Sequence, residues 1–199
     1  MGKLDINKKL KRDSLLNTSF ELFTSQGINQ TSISDIVKKA GVAKGTFYLY
    51  FKDKYDIRNR LIARKSSQLF GKAYAALMHE HVSSVEDKVV FMVKHILSEL
   101  SRDPKLIALI YKDLSWALFK EAVTNYSDED DENFLSIIES MFDHSDVKYK
   151  NHEVMMFLIV EMVSSAGYSS IVYNQPMPLD ELMPELETAV RSIMKTYEE

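Results

Sequence analysis

The stretch from Thr31 to Phe51, TSISDIVKKAGVAKGTFYLYF, constrains this chain more than any other part of it. Ser32 is placed to cap a helix. Asp35 follows three residues later near the positive end of the helix dipole, and Ile33, Ile36 and Val37 make one apolar face. Ala40-Gly41-Val42 then ends the helix, because glycine takes φ > 0 just past a last turn at no steric cost and Val42 can pin the turn against a core. A second helix is predicted from Lys44 to Phe51. Lys44, Gly45, Thr46, Tyr48 and Tyr50 cannot all enter one small core, whereas Phe47 and Phe51, four apart, can face inward together. Two short helices around a glycine turn make a helix-turn-helix pair.

The outer face of that second helix suits a phosphate-lined groove. Lys44 supplies charge, Gly45 lets a backbone approach closely, and Thr46 offers a hydroxyl and a methyl. Tyr48 and Tyr50 each carry a polar tip on an apolar body. The candidate DNA contacts are Thr31, Ser32, Lys44, Gly45, Thr46, Tyr48, Leu49, Tyr50 and Lys54, the last at the start of the next helix where its charge and the dipole act together.

The run TSISDIVKKAGVAKGTFYLYFKDKYDI, preceded by LLNTSFELFTSQGINQ, resembles the DNA-binding domain of the TetR family of bacterial transcriptional regulators. The resemblance runs roughly from Lys9 to Ile62 and follows the family's succession LF…G…TS…I…AGV.KGT.Y.YF.DK, with Ala43 where a serine is common and Leu49 where many members carry an aromatic or a histidine. It implies an all-α protein of two domains. The first is an N-terminal three-helix helix-turn-helix DNA-binding domain over 1–53, with the start of a linking helix to about 65. The second, 54–199, is a C-terminal helical domain for ligand binding and dimerisation.

Charge agrees with that division. Residues 1–65 hold 14 Lys and Arg against 6 Asp and Glu, a balance of +8, and the remainder holds 11 against 23, a balance of −12. A basic module on an acidic body lets one part meet phosphate while the other avoids it, although a charge block by itself is often only a solvated face. Disulfides and thiolate metal sites are excluded by the absence of cysteine. The start, MGKLDINKKLKRD, lacks the apolar core of a signal peptide, and the longest apolar run, Val154 to Val160, is far shorter than the about 20 residues a bilayer requires. A cytoplasmic protein without a membrane partner is expected.

Taken in order, Met1 to Lys8 is expected as a loose arm whose lysines follow a phosphate backbone or merely solubilise, and Lys9 to Ser25 as a helix closed by Gly27. A long amphipathic helix from about Lys54 to Met78 reaches from one domain into the other. Helices follow over Val85–Leu100, Leu106 to about Tyr126, and Glu132 to Phe142, the last capped by the acidic run 128–132. That run lacks the alternating ligands and glycine of a calcium loop. The segment from Asn151 to Tyr173 is apolar nearly all round, which predicts burial on more than one side. A final helix from Leu179 to about Tyr197 carries Pro184 in its first turns. The resemblance implies a homodimer formed through these last two helices, with two reading heads about 34 Å apart on a pseudo-palindromic double-stranded operator.

Leu106–Phe119 and Val154–Tyr173 concentrate Met and aromatic side chains of the kind that can line an adaptable apolar cavity, though core packing explains each one singly. The candidates are Tyr111, Trp116, Phe119, Met155, Met156, Phe157 and Met162, with His95, Asp113, Glu161 and Tyr168 as polar groups to orient a ligand. No cofactor, metal site or catalytic residue is expected. His79 and His81 fall on different helix faces, and neither a phosphate-binding glycine loop nor a nucleophile elbow is present. The sequence thus points to a DNA-binding regulator, a repressor released from its operator by a small apolar effector. The alternatives are the same fold under control of a protein partner or under none, and, less favoured, an enzyme on a helical scaffold.

Overall fold

The computed structural model describes residues 3–110, 141–142 and 147–199. Eight α-helices lie among them: α1 Lys3–Gln26, α2 Ile33–Ala40, α3 Lys44–Tyr48, α4 Lys54–Leu77, α5 Val85–Arg102, α6 Pro104–Ile110, α7 His152–Tyr173 and α8 Leu179–Thr196. The only extended pairing among the described residues is a single antiparallel bridge between Tyr149 and Glu198, so the fold is all-α. Two compact units divide the chain, Met1–Ala63 and Arg64–Glu199, with the boundary inside α4.

In the first unit α1 begins at Lys3, where a loose arm to Lys8 is expected from the sequence. No glycine or proline interrupts Lys3 to Gln26, and Asp5 favours the first turn, so the helix propagates although Ile6 and Leu10 remain exposed. Leu15, Leu16 and Phe23 of α1 close over Ile36, Val37, Phe47 and Ile57 to form the core. Ser19 is fully buried in this unit and its hydroxyl finds no hydrogen-bond partner. Such a group carries its desolvation cost uncompensated, so Ser19→Ala is expected to raise stability by about 1 kcal/mol. Denaturant midpoints measure this, and a lowered midpoint would mean that the hydroxyl is satisfied.

The second unit is built around α5, α7 and α8. Ser84 caps α5 by accepting from the Asp87 N–H at 3.0 Å. Asp103 plays the equivalent part for α6, its Oδ1 accepting from the N–H groups of Lys105 and Leu106 at 3.1 and 3.0 Å, while Pro104 takes the first helical position, where a missing N–H costs nothing. Arg191 of α8 ties the two long helices together: it reaches Asp87 at 2.8 Å, Glu86 at 3.2 Å and Glu187 at 2.8 Å. Hydrogen bonds from Lys94 and then Arg191 hold the Glu187 carboxyl below its ordinary range. Gly167 marks the close approach of α7 to α5, since a Cβ there would overlap Leu97 Cδ2.

Burial of α7 on more than one side is not achieved within one chain. Met155, Ile159 and Val163 are buried, but Val154, Phe157, Leu158, Val172 and Tyr173 stand exposed on the same helix. This helix is also long and apolar enough to cross a membrane by length and composition alone, a test that core helices pass as well. Pro184 lies in the second turn of α8, consistent with its expected place near the start. The helices expected over Leu106–Tyr126 and Glu132–Phe142 and the acidic run 128–132 lie largely outside the described residues.

Candidate nucleic-acid interface and the cavity of the second unit

The turn between α2 and α3 is set by its ends. Ser32 Oγ accepts from the Asp35 N–H at 3.1 Å while Asp35 Oδ2 accepts from the Ser32 N–H at 2.9 Å, a reciprocal capping box. The Ser32 hydroxyl also donates to Asp35 at 2.6 Å, and this bond, the largest cause, holds the Asp35 carboxyl below its ordinary range. Gly41 sits at φ 68° and ψ 32°, and the Val42 N–H returns to the Val37 carbonyl at 3.0 Å. This left-handed residue is what redirects the chain into α3.

α3 is shorter than the sequence predicts. It ends at Tyr48, and Leu49 and Tyr50 form a turn in which the N–H groups of Tyr50 and Phe51 both bond the Phe47 carbonyl, at 3.0 and 2.9 Å. That tightening brings Phe51 inward, its ring centroid 5.5 Å from that of Phe47. Both phenylalanines are buried as expected. Above them Lys44 and Gly45 are exposed, Thr46 and Tyr50 half-buried, and Tyr48 and Leu49 are 53% and 79% exposed. A Cβ at Gly45 would meet nothing within 4 Å. One short element therefore presents a lysine, a bare backbone, a hydroxyl and two large side chains to the outside.

Three of the expected contacts are placed otherwise. Thr31 is only 1% exposed, and its hydroxyl donates to the Gly27 carbonyl at 2.8 Å, because the loop between α1 and α2 needs that bond to close. Ser32 is exposed, but its hydroxyl is committed to Asp35. Lys54, expected to face phosphate, is half-buried and donates to the carbonyls of Ile28 at 3.0 Å and Thr31 at 3.4 Å. Tyr55, in the first turn of α4, is not among the expected contacts. Its ring is about half exposed, with Lys54 Nζ 5.6 Å and the Arg58 guanidinium 5.7 Å from its centroid. Basic residues one before and three after a helical tyrosine were the available signal.

The second unit holds a partly open cavity of about 110 Å³ between α4, α5, α6 and α7, walled by residues including Phe70, Met92, Ile96, Met156, Val160 and Tyr168. Of the expected lining residues, Met156 and Tyr168 are there, and Phe157 is not. Met155 is fully buried and Met162 is half-buried against the core, neither in the wall. The positions of α7 that face the cavity are 156, 159, 160, 163, 164 and 168, so 155 and 162 lie rotated off that face. His95 instead stacks on Phe91, ring centroids 6.0 Å apart, and Glu161 is half-buried away from the wall. Tyr111, Asp113, Trp116 and Phe119 lie outside the described residues. No group of three His, Cys, Asp or Glu side chains able to hold a metal occurs among the described residues.

An all-α chain with a capped glycine turn and an exposed second helix over a buried phenylalanine pair is a helix-turn-helix protein. Residues 15–61 match the family described as bacterial regulatory proteins, tetR family. It is 52% identical over 44 residues to an uncharacterized HTH-type transcriptional regulator, YvdT, of Bacillus subtilis, covering 22% of this chain and 23% of that protein. It is 29% identical over 107 residues to the fatty acid metabolism regulator protein of the same organism, covering 54% of each. The matched stretches thus span at most about half the length of these relatives. Among solved structures, the regulator FadR from Bacillus subtilis in complex with stearoyl-CoA aligns over 90% of this chain and 97% of that one, with a TM-score of 0.64 and 20% identity. A TetR-family regulator from Haemophilus influenzae aligns over the full length of both chains, with a TM-score of 0.60 and 17% identity. At these identities the structural likeness establishes the fold.

Proposed function

We propose that this protein is a repressor that reads a pseudo-palindromic operator as a homodimer and releases it when a small apolar molecule occupies the cavity of the second unit. The observation that carries the DNA-binding half is the α3 surface: Lys44, Gly45 and Leu49 stand outside with no packing role, and Tyr48, packed edge-on to Phe47, leaves about half of its surface exposed beside them, on a unit of net positive charge. Side chains left without an intramolecular task on a short rigid element are suited to an external groove. Tyr50, half-buried beside Phe51, and Thr46 complete that face, while Thr31, Ser32 and Lys54 act from behind it by fixing the loop and the cap.

Dimerisation is supported by the outward side of α7. Val154, Phe157, Leu158 and Val172 make an exposed apolar surface of the kind a second copy of the chain covers, with α8 alongside. Effector release is supported by the cavity and by the course of α4, which begins beside the reading head and lends Leu69 and Phe70 to the cavity wall. The effector favours a dimer whose heads no longer fit both half-sites, a shift of population between two arrangements. These roles are those of a regulator rather than a catalyst, and a cytoplasmic location accords with them.

The test is selection of bound duplexes from a random pool, followed by titration of the selected site at several salt concentrations. A two-fold-related site bound by a dimer is expected. Lys44→Ala is expected to reduce the slope of log affinity against log salt by about one per head. A pool with no enriched sequence would overturn the specific-operator reading, and an unchanged slope would remove Lys44 from the phosphate contacts.

A further inference from the structure

Among the described residues, the wall of the cavity is apolar except at three places, and they differ. Tyr168 turns its ring against Tyr173, with centroids 5.6 Å apart, and Ser164 is half-buried on α7. Ser66 of α4 is 1% exposed, belongs to the wall, and its hydroxyl has no hydrogen-bond partner. Buried hydroxyls are nearly always satisfied, because one left unpaired keeps its full desolvation cost. A lone unsatisfied hydroxyl at the edge of an otherwise hydrocarbon-lined space is a vacancy for a partner that arrives with a ligand. No charged side chain lines the space among the described residues. A carboxylate, phosphate or ammonium buried against these residues would lose its hydration and gain no counter-charge from them.

Size narrows the class further. At about 110 Å³, and partly open, the cavity has room for at least one small ring or a short alkyl chain, since a closed apolar cavity of roughly 150 Å³ accommodates benzene.

We infer that the cavity binds a compact, uncharged, mostly hydrocarbon molecule bearing one hydroxyl or carbonyl group, and that Ser66 hydrogen-bonds this group. This rests on the cavity being the effector site. A serine hydroxyl both donates and accepts on a single rotatable bond, so it serves a phenol, an alcohol or a ketone alike. Among the wall residues with a polar side chain, Ser66 alone lies on the helix shared by the two units, so the hydrogen bond would attach the ligand to the element that continues into the reading domain.

The experiment is a ligand-observed NMR titration of the full chain with phenol, toluene and benzoate, for the wild type and Ser66→Ala. Alanine favours the helix and breaks no existing bond, so the variant is expected to fold, and its circular dichroism melt checks this. Ser66→Ala should weaken phenol roughly 2- to 10-fold and leave toluene unchanged. Benzoate should bind the wild type at least about 10-fold more weakly than phenol. Equal losses for phenol and toluene, an unaltered phenol affinity, absence of binding by both, or benzoate binding as well as phenol would each overturn the proposal. Release of operator DNA by phenol is read separately in a gel shift. If the Ser66 difference holds and DNA stays bound, only the effector reading fails; if DNA is released without a Ser66 difference, only the hydrogen bond fails.

Discussion

Gly45→Ala is expected to separate DNA binding from folding. Inside the chain a Cβ at this position meets nothing, and its backbone is not in the left-handed region, so alanine should keep or raise stability by about 0.5–1 kcal/mol through its better helix propensity. On the proposed reading the same methyl stands where the α3 surface comes nearest its DNA target. A close backbone approach that must accommodate a methyl group costs about 1–3 kcal/mol, which is roughly a 5- to 150-fold loss of affinity. Fluorescence anisotropy on the selected operator and a thermal melt on the same sample measure both halves. A stable variant with unchanged affinity would show that Gly45 faces no partner.

Phe47→Ala should act in the opposite way. Phe47 is fully buried, packs edge-on to Tyr48 and lies 5.5 Å from Phe51, so truncation removes the support beneath the reading surface. Large-to-small changes of this kind cost about 3–5 kcal/mol, much of the about 5–15 kcal/mol that holds a domain folded. Operator binding and the unfolding midpoint of the first unit are expected to fall together, and Phe47→Leu should recover most of both. Loss of binding without loss of the midpoint would mean that Phe47 touches DNA itself. Gly45 and Phe47 are two residues apart, and the contrast between them tests whether the surface and its support have been correctly distinguished.

The reading head was legible because its signals are local. A cap, a glycine requiring φ > 0 and a pair of phenylalanines at i and i+4 fix α2, the turn and the inward face of α3 without distant information. What failed there depended on contacts far along the chain: Lys54 meets Ile28 and Thr31, 26 and 23 residues away, and Thr31 is buried by a loop whose closure no periodicity announces. The cavity was harder for a different reason. On α7 nearly every position is apolar, so periodicity cannot show which face looks inward, and Met155 and Met156 are indistinguishable until neighbouring helices are in place. Ser66 was missed because a single serine in an amphipathic helix carries no signal until its hydroxyl proves to have no partner.

The Lys54 bonds have an electrostatic consequence. Where Lys39 meets Glu21 at 2.8 Å, a positive charge is cancelled by a negative one. Lys54 is held by two neutral carbonyls, which fix the ammonium in place and leave its charge intact. The loop between α1 and α2 is thereby closed by a cation whose field is not extinguished by its own anchors. An aspartate or glutamate in the same place has no proton to give the two carbonyls, so it would fail to tie the loop and would also lower the positive potential through which the first unit attracts a polyanion at long range.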